Sequence, residues 1–588
     1  MSYRVIHAKL TARTAIHIGS GEGNDLTDAL IRRTATGEPV IPGTALAGAL
    51  RSMITRLAPR LGAQVCKALK DPPKNGQPPK NEQPKPCNCE VCCLFGDIQP
   101  TDEADSPAEA SHVLIFEARP ISIPAASSIR DGVGIDRASG AAARAGAVKF
   151  DLETLPAGST FELRIELRKT TAKDEELLAA GLAEWQAGRM WLGGRVGRGL
   201  GAFKLDDLKF GERPLKKPDD LVAFLRDDRP WQAANVKVDW LSGQMATARG
   251  HVKPVSDLKD LPAMVARRWV QAEFTLQAEG PLLTNETLAS VVSGFDHAPL
   301  LAEVGKWDKP ILTGAGLRGV LRSHAERIAR TLVTLNAPDE QSYLTRCPAC
   351  DPNVSRTDGS ADALALESCD SRLKWDLKRG GDEEVAAEEM CLACRLFGST
   401  RWGSRLIVED APFVGGQPEY KMLDFLAIDR FTGGGSEGLK FDALVLWRPR
   451  FKVRLFLDDP QDWELGWLAL VLRDLQEQWL NVGFGAAKGF GRVSVPEWTV
   501  RAGYLKDSDF PLHVKPTPET ETVYQVVEMK HDDAEMQAVW LAELKKWTSA
   551  FKTEWQRENK ALVPLKRDSY FEPEGRLRNL YPKEVALR

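Results

Sequence analysis

The sequence predicts an α+β fold that is built twice within one chain. Three observations carry that prediction. Four motifs recur in the same order, strand-like alternation opens each copy and returns in its middle, and helical stripes follow that alternation. A duplication of this size means that each copy buries its own core and that matched positions share a job.

The first marker is GTALAGALRS from Gly43, matched by GAGLRGVLRS from Gly314; both read G-x-x-L-x-G-x-L-R-S. The second is CEVCCLFGD from Cys89, matched by CLACRLFGS from Cys391. The third is GIDRASG from Gly134, matched by AIDRFTG from Ala427, each followed by KFD at Lys149 and Lys440. The fourth is glycine-rich, LGGRVGRGLGAF from Leu192 and VGFGAAKGFGRV from Val482. The spacing between partners drifts, as duplication followed by insertion leaves it.

Alternation at Ile6, Ala8, Leu10 and Ala12, and at Val270, Ala272, Phe274 and Leu276, predicts the opening strands. The G-x-x-L-x-G-x-L-R-S element then starts a helix whose small residues permit close packing and leave backbone N–H groups approachable. Phe161–Leu167 and Phe451–Leu457 alternate again as strands. Leu178, Leu182 and Trp185, and Leu468, Val471, Leu472, Leu475 and Trp479, mark a second helix in each copy, with those stripes as core. The expected organisation is a first domain over 1–205, a connector over 206–267, a second domain over 268–498 and a helical extension over 499–588. In that extension Asp532 to Lys560 shows one apolar face, with Met536, Val539, Trp540, Leu544 and Trp547, suited to packing on copy two or on a partner.

At 588 residues the chain exceeds one ordinary core. With 43% apolar and 27% charged residues it has the composition of a soluble globular protein. A formal net charge of -4 excludes a broadly basic protein, so any nucleic-acid surface is a local patch. No apolar run approaches the roughly 18 residues that cross a bilayer. The start, MSYRVIHAKL, has no apolar signal core. The expectation is a cytoplasmic protein with no membrane partner, where clustered cysteines bind metal more often than they form disulfides.

The cysteines fall into two Cys-rich insertions, 66–93 and 347–394. In copy two, Cys347-x-x-Cys350 and Cys391-x-x-Cys394 offer four thiolates for tetrahedral zinc, with Cys369 expected to stand apart. In copy one, Cys89-x-x-Cys92 joins Cys66 and Cys87, with Cys93 competing for a place. Both sets look closed to water, so about two structural zinc ions per chain are expected.

Taken together these residues resemble the RAMP superfamily of CRISPR proteins, and more narrowly the Cas-seven backbone subunits of type III effector complexes. The resemblance is carried by His17-Ile18-Gly19-Ser20-Gly21, by Ile41-Pro42-Gly43-Thr44 with Leu46, Gly48 and Leu50-Arg51-Ser52, by Leu94-Phe95-Gly96, and by the glycine-rich stretch. The tandem form is similar to the double subunits of fused type III-D and III-E systems. Copy two departs from the pattern, with Thr313 in place of the proline and no HIG element. The resemblance implies two RRM-like (ferredoxin-like) palms, each with a β-hairpin thumb. It also implies a grip on crRNA, contacts with other effector subunits, and cleavage of target RNA beside each kink in the guide.

Several residues then become candidates. Backbone and side-chain contacts to a guide of any sequence point to Gly43, Thr44, Gly48 and Arg51, and to Gly314, Gly319 and Arg322, on the paired helices. Arg195, Arg198, Lys488 and Arg492 stand in the glycine-rich loops. Arg137 and Arg430 follow Asp136 and Asp429, where the resemblance puts the exit of the thumb from the palm, and where an Asp–Arg bridge fixing the hairpin is an equal reading. The resemblance makes Asp28, and with it Asp296, the cleavage aspartates; Asp25 is a rival to the first and His297 a helper to the second. One carboxylate suits a reaction in which RNA supplies its own 2′-OH, acting as base or holding a divalent cation such as Mg²⁺. Three other readings remain open: a non-catalytic crRNA-binding subunit, a crRNA-processing nuclease using His17, and a zinc-stabilised scaffold.

Overall fold

The computed structural model of the protein describes residues 2–25, 27–66, 87, 89–96, 110–136, 141–142, 149–232, 235–258, 265–304, 307–336, 347–357, 366–376, 378, 385–506, 517–519 and 521–556.

The first repeat runs β1 (Ser2–Ala12), α1 (Gly43–Leu57), β2 (Val113–Ile115), the thumb strands β3 (Ser128–Val133) and β4 (Lys149–Thr154), β5 (Thr160–Leu167), α2 (Ala172–Gln186) and β6 (Ala202–Pro214). An edge strand, β7 (Asn235–Lys237), and a helix, α3 (Trp240–His251), complete it. The second repeat runs β8 (Arg268–Ala278), α4 (Gly314–Asn336), β9 (Leu406–Val408), the thumb strands β10 (Tyr420–Ile428) and β11 (Gly435–Trp447), β12 (Arg450–Asp458), α5 (Asp462–Gln476) and β13 (Val493–Tyr504). Its own edge strand and helix are β14 (Gln525–Lys530) and α6 (Ala534–Trp555).

Both main sheets are antiparallel and share one strand order: β2-β5-β1-β6 and β9-β12-β8-β13. Strand, helix, strand, strand, helix, strand, with each thumb inserted between the middle strands, is a split βαβ arrangement. The alternation in the sequence produces it. Ile6, Leu10, Leu163 and Ile165 are fully buried beneath α1 and α2, and Leu276, Val453 and Leu455 are fully buried in the second repeat. Each first helix starts hard against its sheet. A Cβ on Gly43 would collide with the Ile115 carbonyl, and one on Gly314 with the Val408 carbonyl, so only glycine permits that approach.

The expected connector has more structure than a linker. β6 continues to Pro214, β7 adds an edge strand to it, and α3 packs on α2, with Trp240 stacked on Phe210 at 4.8 Å. The helical tail falls where periodicity put it. Trp540, Trp547, Phe551 and Trp555 are buried, and Phe551 stacks on Trp467 of α5 at 5.0 Å. Each repeat therefore ends in the same strand-and-helix addition. None of the helices among the described residues is long and apolar enough to cross a membrane.

Ion pairs stitch the repeats together. Arg13 reaches Glu409 at 2.8 Å, Arg56 meets Asp458, and Arg130 of the first thumb meets Asp410. The most buried is Arg189, 3% exposed, which binds Glu184 at 2.5 Å and Glu519 at 2.8 Å beneath the Trp269 ring. Removing one member of such a group strands the others. Arg189→Ala is expected to cost about 3–5 kcal/mol, read as a lower urea midpoint, with Glu519→Gln in the same chain restoring part of the loss.

Candidate RNA-facing corners and metal centres

Each repeat builds an acidic, aromatic corner where the loop before its first helix meets the thumb. In the first repeat Asp28 Oδ2 accepts a hydrogen bond from the Asp151 N–H at 2.9 Å, and Ala29 bridges Leu152 in parallel. In the second, Asp296 Oδ2 accepts from the Asp442 N–H at 2.9 Å and Asp442 Oδ1 accepts from the Asp296 N–H at 2.9 Å. There His297 bridges Ala443 in parallel. The two loop aspartates thus hold the same place in their repeats.

A third carboxylate faces each pair across the thumb ladder, Asp131 opposite Asp151 and Asp424 opposite Asp442. Local burial, then the nearby Asp131 and Asp28, push the Asp151 acid above its ordinary value. Asp151 Oδ1 is shielded from solvent, accepts no hydrogen bond among the described residues, and lies 3.9 Å from Lys149 Nζ. The KFD aspartates and phenylalanines were not singled out from sequence; the KFD repeat beside each thumb was the signal that could have found them.

A cation from the glycine-rich loop covers each corner. The Arg195 guanidinium sits 4.3 Å from the Phe150 ring centroid, and Lys488 Nζ sits 5.6 Å from Phe441 and 5.4 Å from Phe484. Arg195 holds φ 61°, where the second repeat has Gly485 at φ 80°. An arginine kept in the left-handed region costs roughly 1–2 kcal/mol, a strain of the kind that collects at functional sites. Arg198 is exposed and pairs with no carboxylate among the described residues. Partial burial and the like charges of Arg195 and Arg322 push its guanidinium down. In the second repeat His297 Nδ1 lies 3.2 Å from Asn285 Oδ1, with the ring against Phe484 at 4.6 Å.

Two groups of four cysteines form beside the first helices: Cys66, Cys87, Cys89 and Cys92, and Cys350, Cys369, Cys391 and Cys394. Within each group the sulfurs lie within 4.8 Å of one another. Zinc–sulfur bonds of about 2.3 Å at tetrahedral angles need sulfurs about 3.8 Å apart, and Cys66–Cys92 at 3.4 Å and Cys350–Cys394 at 3.6 Å fit that spacing. A disulfide would need about 2.05 Å. Cys89 and Cys391 each start a one-turn helix and accept from the N–H of Cys92 and Cys394 at 3.4 Å. Burial and the neighbouring sulfurs push the Cys92 thiol well up, so four thiolates require a cation among them. Both groups could bind a structural zinc ion.

The second group corrects the expected ligand set. Cys347 is excluded from it and Cys369 belongs. The stretch between the two CxxC pairs folds back and delivers Cys369 from the start of the helix Cys369–Trp375, while Cys347 Sγ donates to the Ala349 carbonyl at 3.4 Å. Sequence separation concealed this, because the fourth ligand comes from within the insertion.

The sequence model of the RAMP superfamily matches residues 9–204 and 297–494. The chain belongs to the RAMP superfamily. The two matched stretches fall within the two repeats, so this is a double RAMP protein, and membership suggests a CRISPR-associated role in RNA binding. No curated protein sequence is significantly similar to the chain.

Several of the RNA-binding candidates of the RAMP repeats make contacts within the protein. Gly43 and Gly314 face protein backbone, not open space. Arg51 and Arg322 turn inward: Arg51 donates to the Gly96 carbonyl at 3.0 Å, and Arg322, 9% exposed, donates to Gly398 at 3.1 Å and to Glu326 at 2.8 Å. Thr44 is exposed, and Gly48 and Gly319 have no atoms near a would-be Cβ. Arg492 is exposed and donates to Gln478 Oε1 at 2.7 Å.

The IDR element lies at the tip of the thumb, not where the thumb leaves the palm. Asp429 Oδ1 accepts from the N–H groups of Phe431 at 2.9 Å and Thr432 at 2.7 Å, bonds that close the turn and hold its acid low, and Arg430 is exposed beside it. Arg137 lies outside the described residues. His17, 7% exposed and 2.7 Å from the Glu153 carbonyl through Nδ1, packs within the palm.

Proposed function

We propose that this RAMP protein is a backbone subunit of a type III CRISPR effector, with two RRM-like palms that hold crRNA and two corners that cleave complementary target RNA. The observation that carries this reading is the duplicated corner: a loop aspartate and a thumb aspartate in matching places, with a cation of the glycine-rich loop beside each, Arg195 in the first repeat and Lys488, the counterpart of Arg198, in the second. Exposed thumb residues support it, since Met422, Leu426 and Ile428 lie on the surface and Phe431 is 99% exposed at the tip. Bare apolar surface on a hairpin suits stacking against splayed bases.

In the proposed reaction the ribose O2′ bonds to the adjacent phosphorus and the P–O5′ bond breaks. The O2′ proton passes to the Asp28 or Asp296 carboxylate, and the departing O5′ takes a proton from water. A kink in the RNA that sets O2′ in line supplies orientation. Asp28 with Asp151, and Asp296 with Asp442, are the residues that would hold Mg²⁺, whose charge would stabilise the departing oxygen. A second reading, binding without cleavage, is favoured by one feature: each loop aspartate already accepts a backbone N–H and so has a structural task. Either way the partners are crRNA, target RNA and further effector subunits.

The binding part is tested through Arg195 and Arg198. Exchanging both for glutamate is expected to weaken crRNA binding at moderate salt by about tenfold or more, and to lower the slope of log K against log salt by roughly 0.7–0.9 for each phosphate that is no longer neutralised. An unchanged slope, or purified protein that carries no RNA by its absorbance ratio, counts against this function.

A further inference from the structure

The arginine of each G-x-x-L-x-G-x-L-R-S motif makes the same pair of hydrogen bonds in both repeats. Arg51 donates through Nη1 to the Gly96 carbonyl at 3.0 Å and through Nη2 to Cys92 Sγ at 3.2 Å. Arg322 donates through Nη1 to the Gly398 carbonyl at 3.1 Å and through Nη2 to Cys394 Sγ at 3.6 Å. Cys92 and Cys394 are matched cysteines of the two groups, and Gly96 and Gly398 end the one-turn helices that carry them. Those glycines hold φ 89° and 79°, which turns the peptide after the CxxC helix. The guanidinium fork therefore spans a cysteine sulfur and the backbone that closes its loop.

We infer that Arg51 and Arg322 are positioning residues of the two metal centres, each neutralising a tetrathiolate and locking its CxxC loop, and that this is why the motif carries an arginine there. The inference rests on the zinc reading of the cysteine groups and is independent of the RNA reading. Four thiolates around Zn²⁺ leave a net double negative charge in a sheltered place. A bidentate guanidinium suits that charge better than a lysine, because its donors stay fixed in one plane. Partners that orient ligands commonly change metal affinity by about 10–100-fold when removed. The two centres differ in one respect. Glu326 shares the charge of Arg322 in the second repeat, whereas four residues after Arg51 stands Thr55, whose hydroxyl donates to the Arg51 carbonyl. Arg51 consequently acts on its centre without an acid between, and its loss is expected to have the cleaner effect.

The test is zinc release from the full-length protein into a chromogenic chelator, with no RNA present. Arg51→Gln is expected to release one of two zinc equivalents about tenfold faster, the other at the wild-type rate. Arg51→Lys, which keeps the charge and loses the fork, falls between. In cobalt-substituted protein the thiolate-to-metal absorption of Arg51→Gln is expected to shift, a change that loosened packing alone would not give. Wild-type release of both equivalents with an unshifted spectrum overturns the inference. If Arg51→Gln fails to fold, Arg51→Lys decides, and wild-type release from it likewise overturns the inference. Wild-type protein purified with added zinc but holding none overturns the zinc reading itself.

Discussion

Asparagine in place of Asp28 is expected to abolish one target-RNA cut and leave the other, and Asp296→Asn to do the reverse. The asparagine side-chain carbonyl can still accept the Asp151 or Asp442 N–H, so the loop stays docked and only the carboxylate charge is removed. General-base catalysis of this kind is worth roughly 10²–10⁴-fold, so the affected band should fall by at least that lower figure in a gel of end-labelled target. The Asp151 acid is held above its ordinary value, so it keeps its proton to higher pH and the first corner carries full charge only above that point. Cleavage at the first site should accordingly fade, as pH drops, sooner than an ordinary carboxylate would dictate, and Asp131→Asn should move that limb to lower pH. Two cuts persisting at wild-type rates in Asp28→Asn and Asp296→Asn would overturn the assignment of cleavage to these aspartates.

Serine in place of Cys369 is expected to empty the second metal centre, whereas Cys347→Ser leaves it loaded. Both cysteines are buried to the same degree, so burial does not distinguish them; membership of the four-sulfur group does. A three-thiolate remnant in a core that includes Cys350, Leu373, Cys391 and Leu396 leaves polar sulfur without its cation. Structural zinc contributes directly to folding free energy, so Cys369→Ser should lower thermal stability steeply, and metal analysis should fall from about two zinc ions per chain to about one. Equal loss from both variants would reinstate Cys347 as a ligand.

Much of the architecture was legible because period-two alternation survives in strands with one buried face. Ile6 to Ala12 and Phe451 to Leu457 both became central or near-central strands. The helix stripes held in part for the same reason: Trp185, Leu468, Val471 and Leu475 are core residues, whereas Trp479, expected in the core, lies past the end of α5 and is 51% exposed. The cysteine group of the first repeat was readable because its ligands are the cysteines at positions 66, 87, 89 and 92 that the CxxC spacing and its neighbours already marked. What escaped was set by the third dimension. Arg51 and Arg322 carry no mark in sequence that separates a solvated arginine from one resting on a sulfur. Cys369 looked idle because its partners come from either side of a fold-back. Asp151 and Asp442 were visible only as members of KFD, and their meeting with Asp28 and Asp296 depends on how the thumb docks.

The start of α4 has a resident anion, and the start of α1 has none among the described residues. Asp410 Oδ1 accepts the Gly314 N–H at 2.8 Å, while α1 has no side-chain cap. The matching position in the first repeat is Glu117, since Ile41 bridges Ala118 as Leu312 pairs with Ala411, and Glu117 instead leans on exposed Arg119. A helix start attracts negative charge through its free N–H groups. Asp410 also pairs with Arg130 of the first thumb, so the start of α4 is spent on holding the halves together.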